Sequence, residues 1–122
     1  MSLTHINAED FDRIFKEDKE TCVFIFQKDS CSVCKSLTPV AEKISEEFAG
    51  KTKFYTLTVT DPEVLLRFKE LKLLGVPQTV FVANGEKKLA LPGSISADIL
   101  RKETNILLNG KKGFLGKLKS LF

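Results

Sequence analysis

Two cysteines separated by two residues, Cys31 and Cys34, are the side chains of this sequence best suited to chemistry. A Cys-x-x-Cys pair can close a reversible disulfide, bind a metal ion or hold part of an iron–sulfur cluster. The pair follows the apolar run "CVFIF" at residues 22–26 and precedes a long helical pattern. Which of these chemistries is favoured depends on the elements that hold the two sulfur atoms.

The predicted elements on either side place the two thiols differently. If the strand ends near Gln27 and a helix begins near Ser32, Cys31 lies at the N-terminal cap of that helix. Unpaired backbone N–H groups and the positive end of the helix dipole favour an anion there, and hence a thiolate. Cys34 lies one turn deeper, where it can form a disulfide with Cys31 while facing solvent less readily. This geometry predicts that Cys31 attacks a substrate disulfide and that Cys34 resolves the mixed disulfide.

The rest of the chain alternates between helical and strand patterns. The predicted elements are a helix at about 8–19, a strand at 22–26, a helix from 32 to about 50, a strand at 53–59, a helix from 62 to about 71, two strands joined at Asn84-Gly85, and a last helix capped by Ser94 or Ser96. A strand, helix, strand order predicts a parallel crossover, whereas the Asn84-Gly85 turn predicts an antiparallel hairpin. We therefore expect an α/β fold with a mixed central sheet of about four strands flanked by helices on both faces.

Length and charge divide the chain into a domain and a tail. A chain of 122 residues with 43% hydrophobic residues can bury one core, which we assign to residues 1–109. Residues 110–122 hold four Lys and no acidic residue, and their apolar side chains recur as in a short basic amphipathic helix: Phe114, Leu115, Leu118, Leu121 and Phe122. This tail can cover its own domain, pair with a second copy in a dimer, stay disordered, or contact a partner or membrane surface.

Composition argues against several partners and sites. Residues 1–109 carry a net charge of −1 and show no basic stripe with interleaved aromatic residues, so we expect no nucleic-acid partner. No apolar run is long enough to span a bilayer and the first fifteen residues do not resemble a signal peptide, so we expect a cytoplasmic protein with no membrane partner. In that reducing compartment three cysteines are too few for a disulfide scaffold, and a close pair favours catalysis, redox sensing or metal binding.

These features together resemble the thioredoxin family over about residues 5–108. The resemblance rests on "SCSVCK" at 30–35 after a buried strand, Pro39 in the following helix, Gly75-Val76-Pro77 before the next strand, the Asn84-Gly85 turn, and Gly93. It implies a thioredoxin fold that exchanges thiols and disulfides with protein substrates. It also implies that neither flavin nor metal is needed as a cofactor.

The resemblance also implies a substrate-binding surface. In thioredoxins the proline that matches Pro77 is cis and faces the active-site disulfide. The backbone of the preceding residue, here Val76, pairs with an extended substrate. Ser30, Ser32 and Val33, the residues next to Cys31 and between the thiols, complete the surface that we expect substrates to contact.

Two departures from the family pattern concern the site itself. Thioredoxins usually read Trp-Cys-Gly-Pro-Cys, whereas this chain has Ser30 before the first cysteine and no Trp at all, so the groove loses its aromatic wall. The family's buried aspartate, which moves protons for the second cysteine, falls at Ile25, and its lysine partner falls at Thr56. We expect this proton relay to be missing, so that water or the mixed-disulfide partner deprotonates Cys34.

Charged neighbours act on Cys31 in both directions. Asp29 should raise the pKa of the Cys31 thiol, whereas Lys28 and Lys35 should lower it.

We interpret the chain as a thiol–disulfide oxidoreductase that reduces cytoplasmic protein disulfides and depends on an upstream thiol reductant. The alternatives are a slow or non-catalytic binding module on the same fold, and a carrier of an iron–sulfur cluster shared between two chains, which would colour the purified protein. A zinc site is disfavoured because the other soft ligands, Cys22 and His5, lie upstream at unsuitable spacings. We expect Cys22 to be a buried small hydrophobe and His5 an ordinary surface residue.

Overall fold

The structure, a computed structural model, describes residues 3–109. Five strands and four helices follow one another along the chain: β1 Leu3–His5, α1 Ala8–Asp12 with a π-helical continuation Arg13–Glu17, β2 Cys22–Gln27, α2 Ser32–Glu47, β3 Lys53–Thr58, α3 Pro62–Glu70, β4 Gln78–Ala83, β5 Glu86–Pro92 and α4 Ala97–Asn109.

The five strands form one mixed sheet in the order β1-β3-β2-β4-β5. Strands β1, β3 and β2 are parallel, whereas β4 is antiparallel to both β2 and β5. The predicted α/β fold is confirmed, but the expected strand number of about four is one too low. The additional strand, β1, is three residues long and two of the three are exposed, so it shows no alternation that a sequence pattern could reveal.

The first helix also differs from its prediction. Its start is as expected, because the side chain of Asn7 accepts a hydrogen bond from the Asp10 amide (2.8 Å) while Asp10 accepts one from the Asn7 amide. The predicted single helix to about residue 19 instead changes from α to π geometry at Arg13. Phe11, together with Ile14 and Phe15 beyond it, remains buried.

The core lies on both faces of the sheet because β2 is apolar on both faces. Phe24 and Phe26 pack with α1 and α3, and their aromatic rings contact Phe11, whose ring centroid is 4.7 Å from that of Phe24. Val23 and Ile25 point to the other face and pack with α2 and α4. Burying each such side chain stabilises the fold by about 1.5–3 kcal/mol. The central strand that leads to the cysteine pair is therefore firmly held.

The later elements follow their sequence signals. The β4–β5 hairpin turns at Asn84 and Gly85, which both have positive φ angles, as a type I′ turn requires. The hydroxyl of Ser96 accepts a hydrogen bond from the Ile99 amide at the start of α4, so of the two predicted caps Ser96 is the one used.

The C-terminal tail, residues 110–122, lies outside the described residues, so its amphipathic helix and its role in a dimer stay predictions. Within residues 3–109, no helix combines the length and the apolar composition that crossing a membrane requires.

Candidate active site

The nucleophile candidate, Cys31, is the N-terminal cap of α2. Its sulfur accepts a hydrogen bond from the backbone amide of Cys34 at 3.1 Å, in the way that a serine or aspartate side chain caps a helix. The loop from β2 is short, and a turn bond of 3.3 Å from the Cys31 amide to the Lys28 carbonyl closes it. The end of β2 and the start of α2 thus place the sulfur where backbone amides stabilise negative charge.

The two thiols have opposite environments. A hydrogen bond from the Cys34 thiol, backbone amides at Cys34 and Val33, and the charge of Lys28 hold the pKa of Cys31 below its ordinary value. Burial raises the pKa of Cys34, which is 3% exposed, and donating its proton to the Cys31 sulfur raises it further. Of the three charged residues predicted to act on Cys31, Lys28 contributes to this lowering. Cys31 is the thiol that ionises first and meets solvent.

This difference predicts a pH-dependent reactivity. Because the thiolate is the reactive form, alkylation of Cys31 by iodoacetamide should have its midpoint below the ordinary thiol pKa of about 8.5, and Cys34 should react at least about tenfold more slowly at pH 7. Mass spectrometry of modified peptides across about pH 5 to 10 measures both rates. The Cys31→Ser variant should lack the fast reaction, and equal midpoints for the two thiols would contradict the assignment.

The structure brings Val76 to Cys31 from a distant part of the sequence. The Cys31 sulfur lies 3.9 Å from the Val76 carbonyl oxygen, and the Val76–Pro77 peptide bond is cis. The Pro77 carbonyl accepts a hydrogen bond of 2.9 Å from the Gly93 amide, which ties this loop to the end of β5. The backbone of Val76 therefore faces the sulfur, and the peptide bond that the resemblance predicts to be cis is cis.

The other predicted substrate-contacting residues divide into two groups: Ser30, Ser32 and Val33 surround Cys31 in sequence and are exposed, whereas Pro77 is buried. Ser30 and Ser32 lie on the surface at the start of α2, and the Val33 side chain is 42% exposed although it is apolar. No tryptophan covers them. The surface beside Cys31 is therefore open and mildly apolar.

A narrow cleft lies on the inner side of Cys34. Ile25 and Thr56, which take the places of the relay residues, are register partners in β2 and β3, and both line this cleft. Among residues 3–109, the lining consists of Leu3, Ile25, Gln27, Cys34, Leu37, Thr38, Ala41 and Thr56. It includes no carboxyl or amino side chain and leaves no room for a water molecule. The cleft therefore offers Cys34 neither the buried aspartate nor the lysine that form the proton relay of thioredoxins.

Two further residues near the site, His5 and Gln78, make contacts that the sequence did not predict. His5 is exposed, as predicted, but its Nδ1 atom also lies 2.9 Å from the Thr56 hydroxyl. Gln78, which the sequence analysis did not single out, donates a hydrogen bond of 2.7 Å from its buried side chain to the Leu74 carbonyl. The available signal was an amide side chain directly after Pro77, at the start of a strand that is apolar from Val80 onward.

The third cysteine is separate from the pair. Cys22 is fully buried at the start of β2, as predicted, and burial raises its pKa far above the ordinary value. Within residues 3–109, no three His, Cys, Asp or Glu side chains are grouped closely enough to hold a metal ion.

Comparison with known protein families gives one match that covers most of the chain. The family model described as Thioredoxin matches residues 2–105. The thioredoxin of Haemophilus influenzae is 27% identical over 82 residues, which are 67% of this chain and 75% of that protein. The chloroplastic thioredoxin M4 of Arabidopsis thaliana is 29% identical over 73 residues, which are 59% of this chain and 36% of that longer protein.

Solved structures show the same architecture. The crystal structure of the thioredoxin of Malassezia sympodialis has a TM-score of 0.75 and 26% identity, and the match covers 88% of this chain and 91% of that one. Chloroplastic thioredoxin z has a TM-score of 0.73 at 21% identity, with 88% and 95% of the two chains covered.

Proposed function

Because this chain belongs to the thioredoxin family, a family of thiol–disulfide oxidoreductases, we propose that it reduces protein disulfides through Cys31 and Cys34. The observation that carries the proposal is the cap geometry. At the N-terminus of α2, the partly exposed sulfur of Cys31 accepts a hydrogen bond of 3.1 Å from the Cys34 backbone amide. The Cys34 thiol itself is buried. Cys31 is therefore the accessible nucleophile, and the buried Cys34 is the thiol that resolves the mixed disulfide.

The reaction has two exchange steps. The Cys31 thiolate attacks one sulfur of the substrate disulfide, which forms a mixed disulfide and releases the other substrate sulfur as a thiolate. Cys34 then loses its proton and attacks the Cys31 sulfur, which releases the second substrate thiolate and closes the Cys31–Cys34 disulfide. The substrate gains two electrons and the cysteine pair loses two. An upstream thiol reductant returns these electrons to the pair.

The proton of Cys34 must leave during the second step. From the sequence, two groups are candidates to accept this proton: water and the mixed-disulfide partner. The cleft behind Cys34 has no basic group and no room for water, which favours a thiolate of the substrate as the acceptor. As Cys34 gives up this proton it attacks the Cys31 sulfur, so the negative charge passes to the departing substrate sulfur and no ion remains in the cleft, where it would be poorly solvated.

The substrates expected for this function are proteins with an accessible disulfide in an extended segment. The Val76 backbone pairs with that segment, Ser30, Ser32 and Val33 form the exposed surface beside the sulfur, and the buried Pro77 supports Val76 from the inside of the loop. A cytoplasmic location belongs to the same proposal, because reduction is the direction favoured where thiol systems keep cysteines reduced.

A trapping experiment tests the proposal. The Cys34→Ser variant can perform the first exchange but cannot resolve it, so incubation with insulin should leave insulin chains disulfide-linked to Cys31. Non-reducing electrophoresis and mass spectrometry detect the adduct, and added dithiothreitol should release it. The variant Cys31→Ser/Cys34→Ser is the control. Absence of any linked species in Cys34→Ser would sink the proposal.

A binding module is the second candidate, and the cleft favours it. Without a proton acceptor beside Cys34, resolution of the mixed disulfide is slowed, and the protein would hold partners longer than it turns them over. The wild-type protein separates the two functions, because a slowly resolving module should accumulate the mixed disulfide with insulin, whereas a reductase should accumulate it only in Cys34→Ser. A module that binds without disulfide exchange should give no linked species in either protein.

A further inference from the structure

The loop between α3 and β4 carries Val76 to the nucleophile, yet its middle is not anchored by its own side chains. Leu73 is buried, but the next residue, Leu74, is 89% exposed and contributes little packing. Gly75 follows with a φ of 71°, a conformation that side chains other than glycine rarely adopt. Packing therefore fixes the backbone as far as Leu73 and again at Val76, whose side chain is partly buried against the same core, and it leaves Leu74 and Gly75 to other contacts.

The first part of this loop has its own hydrogen bonds. The Leu73 amide donates to the Phe68 carbonyl at 3.3 Å, and the Lys87 amino group donates to the Leu71 carbonyl at 2.7 Å. These bonds lie before Leu74. In the part of the chain that the structure describes, Val76 makes no backbone–backbone hydrogen bond, so its amide is available to a substrate, while its carbonyl oxygen faces the Cys31 sulfur at 3.9 Å.

Gln78 supplies the contact that the middle of the loop needs. Its side-chain amide donates to the Leu74 carbonyl at 2.7 Å, which is a short bond for an N–H donor. Gln78 is 6% exposed and is the first residue of β4, where it pairs with Phe26 of β2 and Pro92 of β5. The donor is therefore fixed to the centre of the sheet, and the bond extends that rigidity to the backbone beside Val76.

We propose that Gln78 is a positioning residue for disulfide exchange, because its side chain holds the Leu74–Val76 backbone in the place where an extended substrate segment can pair with Val76 beside Cys31. The inference rests on the proposed function and deepens it. Gln78 does not touch the reacting sulfur, so it acts on substrate binding and leaves the reactivity of Cys31 unchanged.

The test variant is Gln78→Met, which keeps the volume of the side chain and removes the donor. Loss of one positioning bond should raise KM for insulin about five- to tenfold, with kcat within about twofold of wild type. The alkylation rate of Cys31 by iodoacetamide should not change. Hydrogen exchange at the amides of residues 74–76 should be faster than in wild type, because the loop is less restrained.

Thr79→Val is the matched control on the same strand. The Thr79 hydroxyl is fully buried and has no hydrogen-bond partner among residues 3–109, so valine should leave both KM and hydrogen exchange in the loop as in wild type. If Gln78→Met does not fold, Gln78→Thr replaces it, since a β-branched side chain suits a strand and is too short to reach Leu74.

The outcomes separate this inference from its premise. Wild-type protein that fails to reduce insulin overturns the proposed function and, with it, the role of Gln78. Active, folded Gln78→Met with an unchanged KM overturns the positioning role alone. A rise in KM of the same size in Thr79→Val would also overturn it, because the effect would then be general to the strand.

Discussion

Replacing Cys31 by serine is expected to lower the rate of insulin reduction to that of dithiothreitol alone, a loss of at least about a hundredfold in the catalysed rate. A serine hydroxyl is not ionised near neutral pH and does not attack disulfides, so the first exchange step cannot occur. The cap of α2 should survive, because serine is itself a favoured N-cap residue. Precipitation of insulin chains, followed by turbidity, measures the rate.

Two further variants make this result specific. Cys34→Ser should also lose turnover but should form the mixed disulfide, since its Cys31 thiolate is intact. Cys22→Ala should keep wild-type turnover, because Cys22 is buried away from the cysteine pair at the other end of β2. Equal turnover by wild type, Cys31→Ser and Cys34→Ser would show that the pair is not the reactive centre.

Replacing Ile25 by aspartate, the residue type that thioredoxins carry at this position, is expected to destabilise this chain by about 4 kcal/mol or more at pH 7. Ile25 is 2% exposed, and the cleft beside it offers a buried carboxylate neither an amine nor water. The partner position holds Thr56, which carries no charge. Such a loss is a large part of the stability of a small domain.

The pH dependence identifies the cause of this loss. Burial should raise the folded-state pKa of the new carboxyl above its unfolded value of about 3.9, so the folded state binds the proton more tightly. The free energy of unfolding should then fall as the pH rises from about 4 to 7. Urea unfolding of Ile25→Asp and of the uncharged control Ile25→Asn measures the difference. Equal stability of the two variants at pH 7 would show that the cleft does solvate a charge.

Much of the fold follows from local sequence signals. The two-sided apolar pattern of β2, the Asn84-Gly85 turn and the cap at Cys31 each depend on residues within one element or one turn. The resemblance to thioredoxins added Val76 and Pro77 to the candidate site. The signals failed where an element was too short or irregular to show a period, as in β1 and in the π-helical turn after Asp12.

By itself, the sequence determined that this protein places a thiol at the start of a helix after a buried strand, because capping and hydrophobic periodicity act between neighbours in the chain. Only the tertiary structure decided what surrounds that thiol. The Val76 carbonyl reaches Cys31 across 45 positions and His5 reaches Thr56 across 51. Gln78 is close to Leu74 in sequence, but the bond between its side chain and the Leu74 carbonyl depends on the path of the loop that precedes β4. Such contacts depend on how strands from distant parts of the chain pack side by side, and no local pattern records them.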